Sequence, residues 1–195
     1  MHADHFIDLI PLRYALRYGV RRRREKLPLY LPPDGLTMLK TLVSAFADEG
    51  GEFITDVYDV HEYDPSKPLR LGSARIRFAH TAHYIPAFAM RWEAGGNVVT
   101  YSADTAPDDR VIALARESDV FLCEATLLHG ETEHGMRGHC TAEEAADMAR
   151  HAGVKKLILT HYGDESTRRD LDEAARAVFD GDVLVADDHH VIVLD

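Results

Sequence analysis

The apolar positions of this chain switch between two spacings, and the switch predicts its elements. Residues 6–18 carry Ile7, Ile10 and Leu16 at helical spacing, with Gly19 as the stop and Pro11 marking a bend or a late start. Leu29-Tyr30-Leu31 reads as a short strand closed by Pro32-Pro33. Asp34 then caps a helix with the apolar face Leu36, Leu39, Leu42, Val43 and Phe46, ended by Gly50-Gly51. Strands are expected over 57–63 and over 75–82, the second alternating through Ile76 and Phe78 and delivering His83 at its end. Segments 87–93 and 97–102 form a hairpin across Gly95-Gly96, which leaves Asp104 just past a strand end.

From there helices and buried strands alternate. A helix over 108–116 precedes the apolar run Val120-Phe121-Leu122-Cys123. Thr141-Ala142-Glu143-Glu144 is a capping box opening a helix that Gly153 stops. Leu157 to Thr160 is a buried strand, 168–179 a helix, and 183–186 and 191–194 are closing strands. This alternation predicts an α/β domain with sheets covered by helices. Neither a repeat nor a linker interrupts it, so residues 1–195 are expected to form one domain.

Composition narrows the class. At 46% hydrophobic and 28% charged the chain is ordinary globular, and no apolar run approaches membrane-spanning length. Cys123 and Cys140 cannot build a disulfide framework and read as packed free thiols in a reducing cytosol. The net charge of −11 argues against a partner gripped through many phosphates. One basic run opposes that trend: Arg21 to Arg24 with Lys26, preceded by Arg13 and Arg17. It is either a solvated loop or a rim that attracts phosphate.

The candidate chemistry lies in the histidines, of which there are 12. His2-Ala3-Asp4-His5 crowds two imidazoles and a carboxylate into one turn, a donor set that suits Zn²⁺, although a His-rich terminus would look the same. Three segments in the order expected of its partners are His83-Tyr84-Ile85-Pro86, Ser102-Ala103-Asp104-Thr105 and Leu157-Ile158-Leu159-Thr160-His161. Gly138-His139-Cys140-Thr141 lies between the last two. Each ends a strand or follows one, where a rigid element can fix a metal ligand. His61, His129, His134 and His151 match no motif and read as surface residues.

In that order the segments resemble the metallo-β-lactamase-fold hydrolases, and among them the short, arm-less ribonuclease Z-like phosphodiesterases, over essentially the whole chain. The resemblance implies a layered αββα fold. The family's first motif is His-x-His-x-Asp-His, and His2, Asp4 and His5 fill its last three ligand positions. The first histidine would precede Met1, so Met1 is expected to be an internal methionine and the N-terminal sheet to be incomplete. The exposed edge of such a sheet would recruit a partner, a second copy of the chain among them.

By residue, the resemblance implies His2 and His83 at one divalent ion, Asp4, His5 and His161 at a second, and Asp104 bridging both. The ions would be Zn²⁺, with Mn²⁺ as the alternative. Asp4 would also orient the attacking hydroxide or take its proton. His139 would act as general acid, or else is only a polar residue beside a helix cap. Glu124, in Cys123-Glu124-Ala125-Thr126, would orient a ligand or is a buried structural carboxylate. Pro86, Phe88 and Arg91 follow His83 at the family's offsets, which prefers His83 over His80, and Arg91 is either structural or meets substrate phosphate.

The function implied is cytoplasmic, metal-dependent hydrolysis of small or cyclic nucleotide-like phosphodiesters. A tRNA 3′-processing nuclease is disfavoured, because only a tight hairpin stands where such enzymes carry a long basic arm. The remaining alternative is a non-catalytic remnant of the fold, an interaction module that binds one metal weakly. A histidine codon immediately upstream of Met1 is expected for the enzyme and a stop codon for the remnant.

Overall fold

The structure is a computed structural model, and it describes residues 1–20, 25–47, 50–131 and 133–194. Contacts group the chain into two units, Met1–Asp64 and Pro65–Asp195. The basic run Arg21 to Arg24 lies outside the described residues. No helix among those described is long and apolar enough to cross a membrane.

The first unit holds α1 (Ala3–Phe6), α2 (Leu9–Tyr18), β1 (Leu27–Leu31), α3 (Gly35–Val43), α4 (Gly50–Thr55) and β2 (Tyr58–Glu62). The single helix expected over 6–18 is therefore two, and Pro11 sits in the first turn of α2, where its missing N–H costs nothing. The helix after Asp34 stops at Val43, and Gly50 begins the next helix rather than ending the last. Asp34 occupies the cap position at φ 65° without a side-chain capping bond; the Leu36 N–H donates instead to Glu62 Oε1 at 3.0 Å. β1 and β2 pair in parallel as a two-stranded sheet over a core of Leu31, Leu39, Val43, Ile54, Val57 and Tyr58. Arg13 is no part of an exposed basic rim. It is buried, donates to Asp56 Oδ2 at 2.5 Å, and lies over the Phe53 ring.

The second unit begins with β3 (Leu69–Leu71), a strand too short for its pattern to register, and β4 (Ala74–His80). It continues through β5 (Phe88–Ala94), β6 (Asn97–Tyr101), α5 (Asp109–Ala115), β7 (Val120–Glu124), α6 (Ala142–Ala152), β8 (Lys156–Thr160), α7 (Arg168–Arg176) and β9 (Asp182–Val185). The seven strands form one sheet in sequence order, antiparallel from β3 to β6 and parallel from β6 to β9. Each parallel step crosses over through a helix. Right-handed crossovers that all advance in one direction put α5, α6 and α7 on one face.

That face is the core. Phe121, Cys123, Leu157, Leu159, Val183 and Val185 project from alternate strand positions onto it. Opposite them α6 lays down Ala142, Ala145, Ala146, Ala149 and Ala152, whose small side chains bring the helix close to the sheet. The predicted capping box is present, Thr141 Oγ1 accepting from Glu144 N. Residues 191–194 do not form the expected closing strand. Val191 and Val193 face out and Ile192 and Leu194 line an apolar cavity, a strand-like alternation with no ladder partner among the described residues.

Candidate functional site

The sheet topology gathers the candidate residues. β6, β7 and β8 are parallel, and β4 runs the same way because two antiparallel steps separate it from β6. Their carboxyl ends therefore share one edge. The segments leaving that edge carry His83 after β4, Asp104 after β6, Glu124 and Thr126 at the end of β7, and His161 after β8. His139 reaches the same edge through the loop before α6, whose ends are joined where the Leu127 N–H donates to the Cys140 carbonyl at 2.9 Å.

Asp104 is 5% exposed and stands between two imidazoles. Its Oδ2 is 3.7 Å from His83 Nε2 and its Oδ1 is 3.7 Å from His161 Nε2. Both separations exceed a hydrogen bond. They approach the spacing of two ligand atoms on one ion, about 3.4 Å for tetrahedral zinc with bonds near 2.1 Å. Each oxygen addresses a different histidine, which is the arrangement of a carboxylate able to span two ions.

The ring nitrogens are assigned by their partners. His83 Nδ1 lies 2.9 Å from the Gly138 carbonyl, an acceptor only, so Nδ1 donates there and Nε2 is the nitrogen turned toward Asp104. A Cβ at Gly138 would stand 2.6 Å from the exposed Tyr84 ring, which would have to shift, and 3.0 Å from His83 Nδ1. Each of the two histidines thus faces its own oxygen of Asp104, and imidazole and carboxylate are donor types that suit divalent metal.

Behind that set Glu124 is completely buried. Its Oε1 accepts from Thr105 N and His139 Nδ1, both at 2.8 Å. Its Oε2 accepts from Thr126 Oγ1 at 2.7 Å, Thr126 N at 3.2 Å and Cys140 N at 3.3 Å. Burial alone would raise its pKa, but the hydrogen bonds from His139, Thr105 and Thr126 outweigh it and hold the carboxyl below the ordinary glutamate range. The same bond to Glu124 raises the pKa of His139 against the opposing effect of burial, with Asp104 and Glu133 adding to the rise. Glu133 also accepts from the Gly138 and His139 backbone N–H groups, at 2.7 and 3.0 Å, and so fastens the histidine's loop.

Glu124, His139 and His161 offer ligand-type atoms within 4.8 Å of one another. They are a poor metal site, because all five donors above converge on the two carboxylate oxygens. Glu124 is an anchor for histidines rather than a ligand.

Arg91 is structural: it is buried and donates to the Leu114 and Arg116 carbonyls at 3.0 and 2.7 Å and to Ser118 Oγ at 3.2 Å, tying the end of α5 to the sheet. His80 packs against the Phe88 ring, centroids 4.5 Å apart and planes tilted by 56°. His2, Asp4 and His5 belong to the first unit, in and just before α1, with His5 Nε2 3.3 Å from Asp4 Oδ2. Thr126 enters the sequence pattern only as a neighbour of Glu124. Its place two residues past a strand end, beside a buried carboxylate, was the available signal.

Comparison with known proteins gives consistent matches. The profile of the family described as a Beta-lactamase superfamily domain matches residues 1–162. An uncharacterised Mycobacterium tuberculosis (strain H37Rv) protein is 37% identical over 198 aligned residues, covering all of this chain and 69% of that protein. The crystal structure of the metallo-β-lactamase fold protein YhfI from Bacillus subtilis superposes with TM-score 0.80 at 27% identity, over 95% of this chain and 71% of that one. A ribonuclease Z from Methanothermobacter thermautotrophicus is 48% identical over 114 residues, which is 57% of this chain and 34% of that protein.

Proposed function

The chain belongs to the β-lactamase superfamily of metallo-hydrolases, a membership that implies divalent-metal binding and the layered α/β fold, and we propose that within it the chain hydrolyses small phosphodiesters. The observation that carries this reading is Asp104, each oxygen 3.7 Å from the Nε2 of a different histidine. A carboxylate so placed offsets the repulsion between two cations. When bound, two divalent ions make hydroxide available near neutral pH and neutralise the charge on a phosphodiester.

The chain's own residues supply the rest. His83 and His161 would hold divalent metal through Nε2, together with the Asp104 carboxylate that lies 3.7 Å from each. The motif match adds His2, Asp4 and His5 to the ligand set, an addition that rests on sequence. In that set Asp4 would orient the attacking oxygen or take its proton. His139, held through Nδ1 by Glu124, donates from Nε2 to the leaving oxygen. The ribonuclease Z match is to a protein named for cleaving RNA. Here the interval between His83 and Asp104 is filled by the β5–β6 hairpin, which turns across Gly95-Gly96 and offers no docking arm. That, with the net charge of −11, favours small or cyclic nucleotide-like esters over tRNA.

The test uses protein expressed from the complete reading frame and a nitrophenyl phosphodiester. Hydrolysis should require Zn²⁺ or Mn²⁺ and stop with a chelator. His139→Ala should lower turnover chiefly for poor leaving groups, which need protonation. Chelator-insensitive activity would remove the metal mechanism. Efficient tRNA cleavage without activity on small diesters would reverse the substrate class, and metal binding without any hydrolysis would leave the interaction module.

A further inference from the structure

We propose that Thr126 is a positioning residue that fixes the ring of His161, so that one buried carboxylate, Glu124, sets the orientation of both His161 and His139. The inference rests on the reading of His161 as a metal ligand. It starts from hydrogen-bond donors counted atom by atom. Thr126 Oγ1 has three acceptor-capable neighbours: Glu124 Oε2 at 2.7 Å, His161 Nδ1 at 2.8 Å and the His161 carbonyl at 3.0 Å. A hydroxyl has one proton to donate. Glu124 already receives three backbone N–H groups and the His139 ring, so it acts as an acceptor, and it is the shortest of the three contacts. A charge-assisted bond to the carboxylate takes the hydroxyl proton.

The consequence falls on His161. With its proton given to Glu124, Thr126 can only accept from the ring, so His161 Nδ1 carries hydrogen. Nε2 is then the lone-pair nitrogen, and it is the atom that faces Asp104 Oδ1. His139 obeys the same logic through the other carboxylate oxygen, donating from Nδ1 to Glu124 Oε1 at 2.8 Å. The two rings lie nearly parallel, 17° apart in plane, with centroids separated by 5.9 Å. One carboxylate and one hydroxyl thus set two histidines that arrive on different loops.

Backbone strain points the same way. His161 sits at φ 56°, the left-handed region, which costs a non-glycine residue roughly 1 kcal/mol or more. Thr126 Oγ1, accepting from the ring Nδ1 at 2.8 Å, holds the side chain of this strained residue.

Three proteins test this: wild type, Thr126→Ser and Thr126→Val. Serine keeps the hydroxyl, whereas valine keeps the shape and removes it. Zn²⁺ alone is titrated against a competing chelator, and the histidine tautomers of the metal-free proteins are read by ¹⁵N NMR. Loss of a group that orients a ligand lowers metal affinity about 10–100-fold, the drop expected for Thr126→Val, while Thr126→Ser stays near wild type. In wild type, His161 should show hydrogen on Nδ1; hydrogen on Nε2 instead would overturn the proposal without any variant, including the case where Thr126→Val does not fold. Wild-type Zn²⁺ affinity in Thr126→Val would also overturn it. A wild type that binds no Zn²⁺ would instead overturn the metallohydrolase reading on which it rests.

Discussion

Replacing Glu124 by glutamine keeps the shape of the side chain and exchanges one oxygen for an NH₂ group. The cost can be worked from the five donors that meet it. With the amide nitrogen at the Oε2 position, the Thr126 and Cys140 backbone N–H groups both face a donor and cannot turn away. With the nitrogen at the Oε1 position only the Thr105 N–H is stranded, because the His139 ring can change tautomer. The second orientation should win. It leaves one buried donor unsatisfied, at about 1–3 kcal/mol, and turns the remaining charge-assisted bonds into weaker neutral ones. The total loss should be about 2–4 kcal/mol. Urea unfolding with chelator present measures it, since chelation removes any metal linkage from the difference. The midpoint should fall with an unchanged slope. A loss below about 1 kcal/mol would show that a neutral carboxyl already occupies the position, and the histidine assignments built on Glu124 would fall with it.

Asp104→Ala should remove more metal than any single histidine substitution, because its two oxygens face two different imidazoles; metal content of the purified variants decides, and full two-metal occupancy would contradict it. Arg91→Met should cost roughly 1–3 kcal/mol in urea unfolding while leaving metal content unchanged, since it strands the buried Leu114 carbonyl and frees the partly buried one of Arg116, neither in a proposed ligand role. The Asp119 carboxylate is held below its ordinary pKa by the Lys155 side chain and the Val98 N–H. A lowered folded-state pKa stabilises the protein above the unfolded value, near 3.9, and that stability is lost as pH falls through the folded value. Asp119→Asn should therefore flatten the acid side of a stability–pH curve, and an unaltered slope below about pH 4 would show that the pair contributes nothing.

What the sequence by itself determined is whatever depends on neighbours a few residues apart. The hairpin at Gly95-Gly96, the capping box at Thr141 and the helix stop at Gly153 are local chemistry, and each is found where the pattern placed it. The convergence of His83, Asp104 and His161 was legible for a related reason: each follows a strand, and parallel strands bring their ends to one edge. Tertiary structure alone decided the partners of the buried polar groups. Glu124 meets Thr105, His139 and Cys140, which lie 15 to 19 residues away in either direction, and no periodicity encodes such a meeting. Arg91 could be read either way until the Leu114 and Arg116 carbonyls were found at its guanidinium. Residues 191–194 show the converse limit. Their alternation is that of a strand, but a strand is completed only by hydrogen bonds to a neighbouring one, and that neighbour is a property of the fold rather than of the segment.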